Sequence, residues 1–194
     1  MGQPPKSAAA DVHAVDFSAS SGPLARYRSP VDLSLTAYPD RAAQDRRLAF
    51  YTSPPLAAPL EIAGQPIARL RLASSRADGE VIVYLEDIAP SGGVTYLSEG
   101  VLRLADRRPL KESDPAPGGP LHSYLRRDAE PMTPGRADEV DVALSPVAAR
   151  LRAGHRLRVS VAGADAANLE RLPSSGPEVF TIDHASHLEL PVSP

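Results

Sequence analysis

The chain has 194 residues, of which 42% are hydrophobic but only 5% aromatic, and it contains no tryptophan and no cysteine. Cysteine-free, it excludes disulfides, thiolate metal sites and a cysteine nucleophile. A formal charge of −3 gives no electrostatic case for nucleic acid or an anionic membrane as partner.

Proline is used 21 times against 13 glycines, which favours turns and short elements. Residues 1–10 read as disordered. Residues 11–47 read as an irregular linking segment with polar turns at Ser20-Ser21-Gly22 and Tyr38-Pro39-Asp40, where 40–47 (DRAAQDRR) offers one helical turn. A β-domain is expected over 48–194. Residues 48–52 and 60–63 read as short strands, the second closed by Gly64-Gln65-Pro66. Over 67–74, Ala68, Leu70 and Leu72 alternate with Arg69 and Arg71, the period of a half-buried strand. Residues 80–88 are apolar on both faces, Val81, Val83 and Leu85 against Ile82 and Tyr84, which predicts a strand covered on both sides. Pro90-Ser91-Gly92-Gly93 turns the chain into a return strand over 94–104, interrupted at Gly100, to make a long hairpin.

Residues 105–135 break the alternation with six prolines and several glycines, so a long excursion is expected, of the kind that serves function. Strands resume at 139–144. Ser145-Pro146 and Gly154 then bracket VAARLRA, which predicts one or two helical turns. Leu157, Val159 and Val161 alternate with Arg156, Arg158 and Ser160, and strands at 179–182 and 187–192 close the chain. The expected fold is an all-β jelly-roll sandwich of eight or nine strands with one short helix, similar to galactose-binding-like domains.

No catalytic set accompanies this scaffold. The G-x-S-x-G elbow is missing; Ser20 and Ser174 lie in the nearest approximations, and each lacks the first glycine. His184 and His187, beside Asp183, would converge on a helix but not on the strand-turn-strand pattern around them. His13, His122 and His155 are isolated. Glu86-Asp87 and Asp138-Glu139 are adjacent pairs whose side chains point to opposite faces of a strand. Pro117-Gly118-Gly119-Pro120 is followed by no helix that could bind phosphate. No catalytic, metal-binding or cofactor-binding residue is assigned. No apolar run approaches the roughly 20 residues that span a bilayer, and the first residues lack the apolar core of a signal peptide. Cytoplasm is the expected compartment unless a targeting sequence lies outside this chain.

FYTSPPL at 50–56 followed by LEIAGQPIARLRLASS, VYLEDIAPSGGVTYLSEGVLR at 83–103, PMTPG at 131–135, AGHRLRVSVAGAD at 153–165 and SHLELPV at 186–192 occur together and in order. This set resembles the C-terminal domain of the cocaine esterase and X-prolyl dipeptidyl-peptidase family of serine hydrolases. The upstream VDFSASSGP and YPDRAAQD resemble the segment that links the two domains there. The resemblance implies a jelly roll that packs on a catalytic α/β-hydrolase domain and helps shape its substrate pocket. The triad would lie outside this chain, so the chain alone is expected to be inactive. In some relatives an Asp-Thr-Asp-Phe run reaches towards the active site; here the stretch is Asp78-Gly79-Glu80-Val81, without the aromatic. The interdomain contact is expected to involve Asp78, Gly79, Glu80, Asp165 and Arg171, on loops 75–80 and 164–173 beside the excursion 105–135. An exposed apolar patch, or self-association of the isolated chain into a homo-oligomer, would accompany such a surface. The other reading is a carbohydrate- or small-ligand-binding jelly roll, which would need Tyr84, Tyr96 and Tyr124 in a row on one surface.

Overall fold

A computed structural model describes residues 9–25, 38–110 and 119–192. Its strands are β1 (Ala10–Ala14), β2 (Ala49–Thr52), β3 (Leu60–Gly64), β4 (Ile67–Ser74), β5 (Glu80–Ile88), β6 (Val94–Arg103), β7 (Asp138–Ala143), β8 (Val147–Leu151), β9 (Arg156–Ala162), β10 (Val179–Asp183) and β11 (His187–Glu189). All described pairings are antiparallel, and five of them are nested: the first strand pairs with the tenth, the second with the ninth, the third with the eighth, the fourth with the seventh and the fifth with the sixth. This is one long strand pair rolled up; β4–β10 and β5–β9 contacts close the roll into two facing sheets, and β3 with β8 forms a third, two-stranded sheet. One sheet runs β1-β10-β4 with β7 on the far edge of β4, and β11 continues β10 along the near edge; the other runs β2-β9-β5-β6. The jelly roll is therefore the observed architecture.

The core lies between the sheets, where Leu72, Val81, Val83, Leu85, Val140, Phe180 and Ile182 are buried. β5 is covered on its other face too, as the sequence predicts. Ile82 and Tyr84 pack there against Ala19, Leu48 and Ala162, supplied largely by the segment leading into the sandwich.

Three elements differ from the sequence reading, while the helical turn offered by residues 40–47 forms. Residues 147–151 are β8, not a helix; Val147, Ala149 and Leu151 turn inward while Ala148 and Arg150 turn out, in register with β3. The proline and glycine there punctuate a strand, and pairing with β3 overrides alanine's helical preference. The short helix is instead α1 (Ala42–Asp45), within the DRAAQDRR run, with a 3₁₀ turn at Leu104–Asp106. β6 runs unbroken through Gly100, because the Ala143 carbonyl of β7 lies where a Cβ would stand. Finally, β1 is a full edge strand inside the segment read as irregular. Its residues are mostly exposed, so it shows no apolar alternation. The described residues thus hold eleven strands, not eight or nine.

Candidate functional site

Loop 75–80 and both ends of the excursion are laced together at one end of the sandwich. The Met132 amide donates to the Ala77 carbonyl at 2.7 Å, Gly135 to Ser74 at 2.8 Å and Leu104 to Gly79 at 2.8 Å. Asp78 adds a side-chain tie, accepting from the Ala105 amide at 3.2 Å and from Arg103 Nε at 2.8 Å. Loop 164–173 joins the same end, because Asp165 lies close enough to Glu80 to act on its charge. Of the five residues expected at the contact, Asp78, Gly79, Glu80 and Asp165 are thus brought together.

Glu80 and Asp165 are nevertheless buried, and they organise the loops from beneath. Asp165 accepts from the Ser20 and Ser21 hydroxyls and from Asn168 Nδ2, which fixes the incoming segment to loop 164–173. Among the described residues Glu80 Oε1 has no hydrogen-bond partner, and neither has Glu178 Oε2. Burial, with the negative charges of Asp165 and Glu178, pushes the Glu80 carboxyl up to about 7. Burial likewise raises Glu178 to about 7, against the Ser74 hydroxyl that donates to it at 2.6 Å. Glu178 seats on Gly79, where a Cβ would stand 2.5 Å from its Oε1. Any side chain at 79 would expel that carboxylate. Arg171 is more peripheral: it stacks 3.9 Å over the Phe17 ring and donates to the Gly176 carbonyl.

The excursion carries an apolar surface. Leu121, Tyr124 and Leu125 are 45%, 64% and 45% exposed. Tyr124 holds φ +52°, a left-handed conformation that costs a side chain roughly 1–2 kcal/mol. The Leu110 amide donates to the Leu121 carbonyl at 2.8 Å, and Pro109 bridges to His122, so this surface has a backbone frame. The Tyr124-Leu125 pair amid arginines was the legible hint to it; Glu178 had none, because its partner is a glycine far away in the chain.

The remaining candidates stay apart. Ser20 and Ser21 meet a carboxylate directly, with no imidazole between them to act as a base. Ser174 is exposed. His184 Nε2 faces Asp11 at 3.0 Å, whereas His187 Nδ1 faces the Ala185 carbonyl at 3.2 Å. Among the described residues no group of three or more His, Asp or Glu could hold a metal ion. His155 pairs with Asp87 at 2.8 Å while the adjacent Glu86 is buried on the other face, the divergence expected of neighbours on a strand. The three tyrosines form no platform: Tyr84 is buried, Tyr96 stacks on Tyr38 at 3.7 Å, and Tyr124 lies on the excursion.

A jelly roll whose loops are tied at one end defines the class: an all-β sandwich domain. Residues 3–185 match the model of the X-Pro dipeptidyl-peptidase C-terminal non-catalytic domain, and the chain belongs to that family. It is 40% identical over 189 residues to a protein of Mycobacterium bovis described as a serine esterase, and equally to one of Mycobacterium tuberculosis. The alignment covers 94% of this chain and 30% of each relative, so the chain spans about a third of their length. Among solved structures, an aminopeptidase of a marine-sediment Thaumarchaeota archaeon shares the fold at TM-score 0.74 and 20% identity, over 100% of this chain and 34% of that one. An α-amino acid ester hydrolase does so at TM-score 0.72 and 22% identity, over 98% and 34%. A CocE/NonD family hydrolase of Staphylococcus aureus matches at TM-score 0.65 and 15% identity, over 79% and 32%.

Proposed function

We propose that this domain packs on the catalytic α/β-hydrolase domain of a serine hydrolase acting on esters or X-Pro peptides, and that it restricts and shapes access to that enzyme's nucleophile. The observation that carries the reading is the exposure of Leu121, Tyr124 and Leu125 on an excursion whose two ends are tied to loop 75–80. Large hydrophobic side chains exposed together on one excursion are what a contact surface would use. The length of the relatives leaves room for a partner domain more than twice the size of this one. In this arrangement Asp78 and Arg171 reach the contact from the rim, while Gly79, Glu80 and Asp165 hold the loops in shape. Catalysis, with its serine, imidazole and carboxylate, belongs to the partner domain.

The test mixes the purified chain with the separately produced catalytic portion of the parent protein and follows nitrophenyl ester hydrolysis. Stable association and a gain in turnover on mixing are expected, with no turnover by the chain alone. Hydrolysis by the chain alone, blocked by a serine-directed inhibitor, would overturn the reading. So would failure of the two pieces to associate.

A further inference from the structure

Away from the braced end, the two sheets part along the edge formed by β1 and β2 and leave a cavity of about 350 Å³. Its floor is aliphatic, with Val161 and Ile182 from facing sheets and Leu188 from β11. Close-packed interiors hold few voids larger than a water molecule. The space exists because the inward residues here are small, Ala68 and Val159 among them, and because residues 184–186 interrupt the β10–β11 edge.

The mouth is polar. Asp11 faces His184 Nε2 at 3.0 Å, and its negative charge, after burial, pushes the Tyr51 hydroxyl on the same rim up to about 12. Three elements thus meet at the rim of an apolar chamber: β1 supplies the acid, the β10–β11 turn the imidazole that pairs with it, and β2 a tyrosine beside them. A second rim carboxylate, Asp183, has Arg71 3.6 Å away. Among the described residues no lysine or arginine lines the cavity. Apolar walls with a few convergent polar groups are the make-up of a small-molecule site.

We propose that this cavity binds a compact apolar amine, its hydrocarbon part against Val161, Ile182 and Leu188 and its ammonium group on Asp11. An apolar cavity of about 150 Å³ takes a benzene ring, so this one takes roughly a dozen non-hydrogen atoms. The ammonium would find a carboxylate already oriented by His184, while a carboxylate ligand would meet like charge.

The test titrates the 194-residue chain at about pH 8 with 2-phenylethylamine, neutral 2-phenylethanol and phenylacetate, observed through its methyl NMR signals. Saturable shifts are expected at Val161, Ile182 and Leu188. The amine should bind about fivefold tighter than the alcohol, the scale of a partly exposed ion pair, and phenylacetate should not bind. Asp11→Asn should erase the preference for the amine and leave the alcohol's affinity unchanged. Leu188→Trp, in a fold checked by its backbone spectrum, should lose both ligands. Equal affinity for all three probes, an unaltered preference in the Asp11→Asn variant, or no saturable shift at the three residues would overturn the proposal.

Discussion

Arg41 Nε donates to Glu86 Oε1 at 2.6 Å although both side chains are buried, beneath the segment that leads into the sandwich. The guanidinium also lies 3.8 Å from the centre of the Tyr84 ring, and Ser160 Oγ donates to the other Glu86 oxygen at 2.9 Å. Arg158 Nη1 donates to Asp45 Oδ2 at 2.6 Å and anchors α1 to β9. The pair therefore joins residues 38–48 to the outer face of β5. Removing one member of a buried pair strands the other charge, so Arg41→Ala is expected to cost about 3–5 kcal/mol. Urea unfolding measures it. Arg41→Met with Glu86→Leu should recover much of that loss, because neither charge is then left unpaired. A cost below about 1 kcal/mol for Arg41→Ala would show that the pair does not hold this segment.

Gly100 makes a second test of packing. The end of β7 crosses β6 here: the Ser145 amide donates to the Glu99 carbonyl at 2.9 Å, and Ser98 Oγ to the Ser145 carbonyl at 2.6 Å. A Cβ on residue 100 would collide with the Ala143 carbonyl, which is backbone and cannot swing away. Gly100→Ala should destabilise by about 1–3 kcal/mol, the range for overpacking, read as a lower melting temperature. An unchanged melting temperature would mean that the strands separate there at no cost.

The long hairpin and the alternating strands were legible in the sequence because each buries one face, or both, and so leaves a period-two record. β1 left none: its residues are mostly exposed, and its place comes from backbone pairing to β10. β8 carried the alternation as Val147, Ala149 and Leu151, but proline, alanine and glycine gave the competing signature of a capped helix. At the loop end, residues 75–80 could be read as a turn, and Asp78 as a side chain near a sandwich rim. The seat of Glu178 on Gly79 could not, because that contact depends on tertiary closure between distant strands. The cavity beside Asp11 was hidden for the same reason, since its mouth joins residues from opposite ends of the chain.

Glu80 and Glu178 should make the domain less stable as pH rises. Their carboxyls sit near 7 in the fold against an ordinary value of 4.5. Below about 4.5 both are protonated folded or unfolded, and stability is complete. Between 4.5 and about 7 the unfolded chain ionises first, so stability falls, by about 3 kcal/mol for each group at the upper bound. Glu80→Gln with Glu178→Gln should flatten this dependence and raise stability at pH 8 relative to the parent chain, with little difference at pH 4. Urea midpoints at the two pH values decide it, and parallel curves for the two proteins would refute the assignment.

Leu121 and Leu125 should matter to association and not to folding. Each is about half exposed, so it contributes little to the core, yet together with Tyr124 they offer an apolar face that water covers poorly. In the isolated chain this face is free to meet a second copy, and sedimentation velocity should show concentration-dependent self-association. Leu121→Asp with Leu125→Asp should abolish that association, shift the melting temperature by no more than the equivalent of about 0.5 kcal/mol, and weaken capture by the catalytic portion of the parent protein at least tenfold. Loss of folding in the double variant would place these leucines in the structural core. Retained capture at full strength would move the contact to another face of the sandwich.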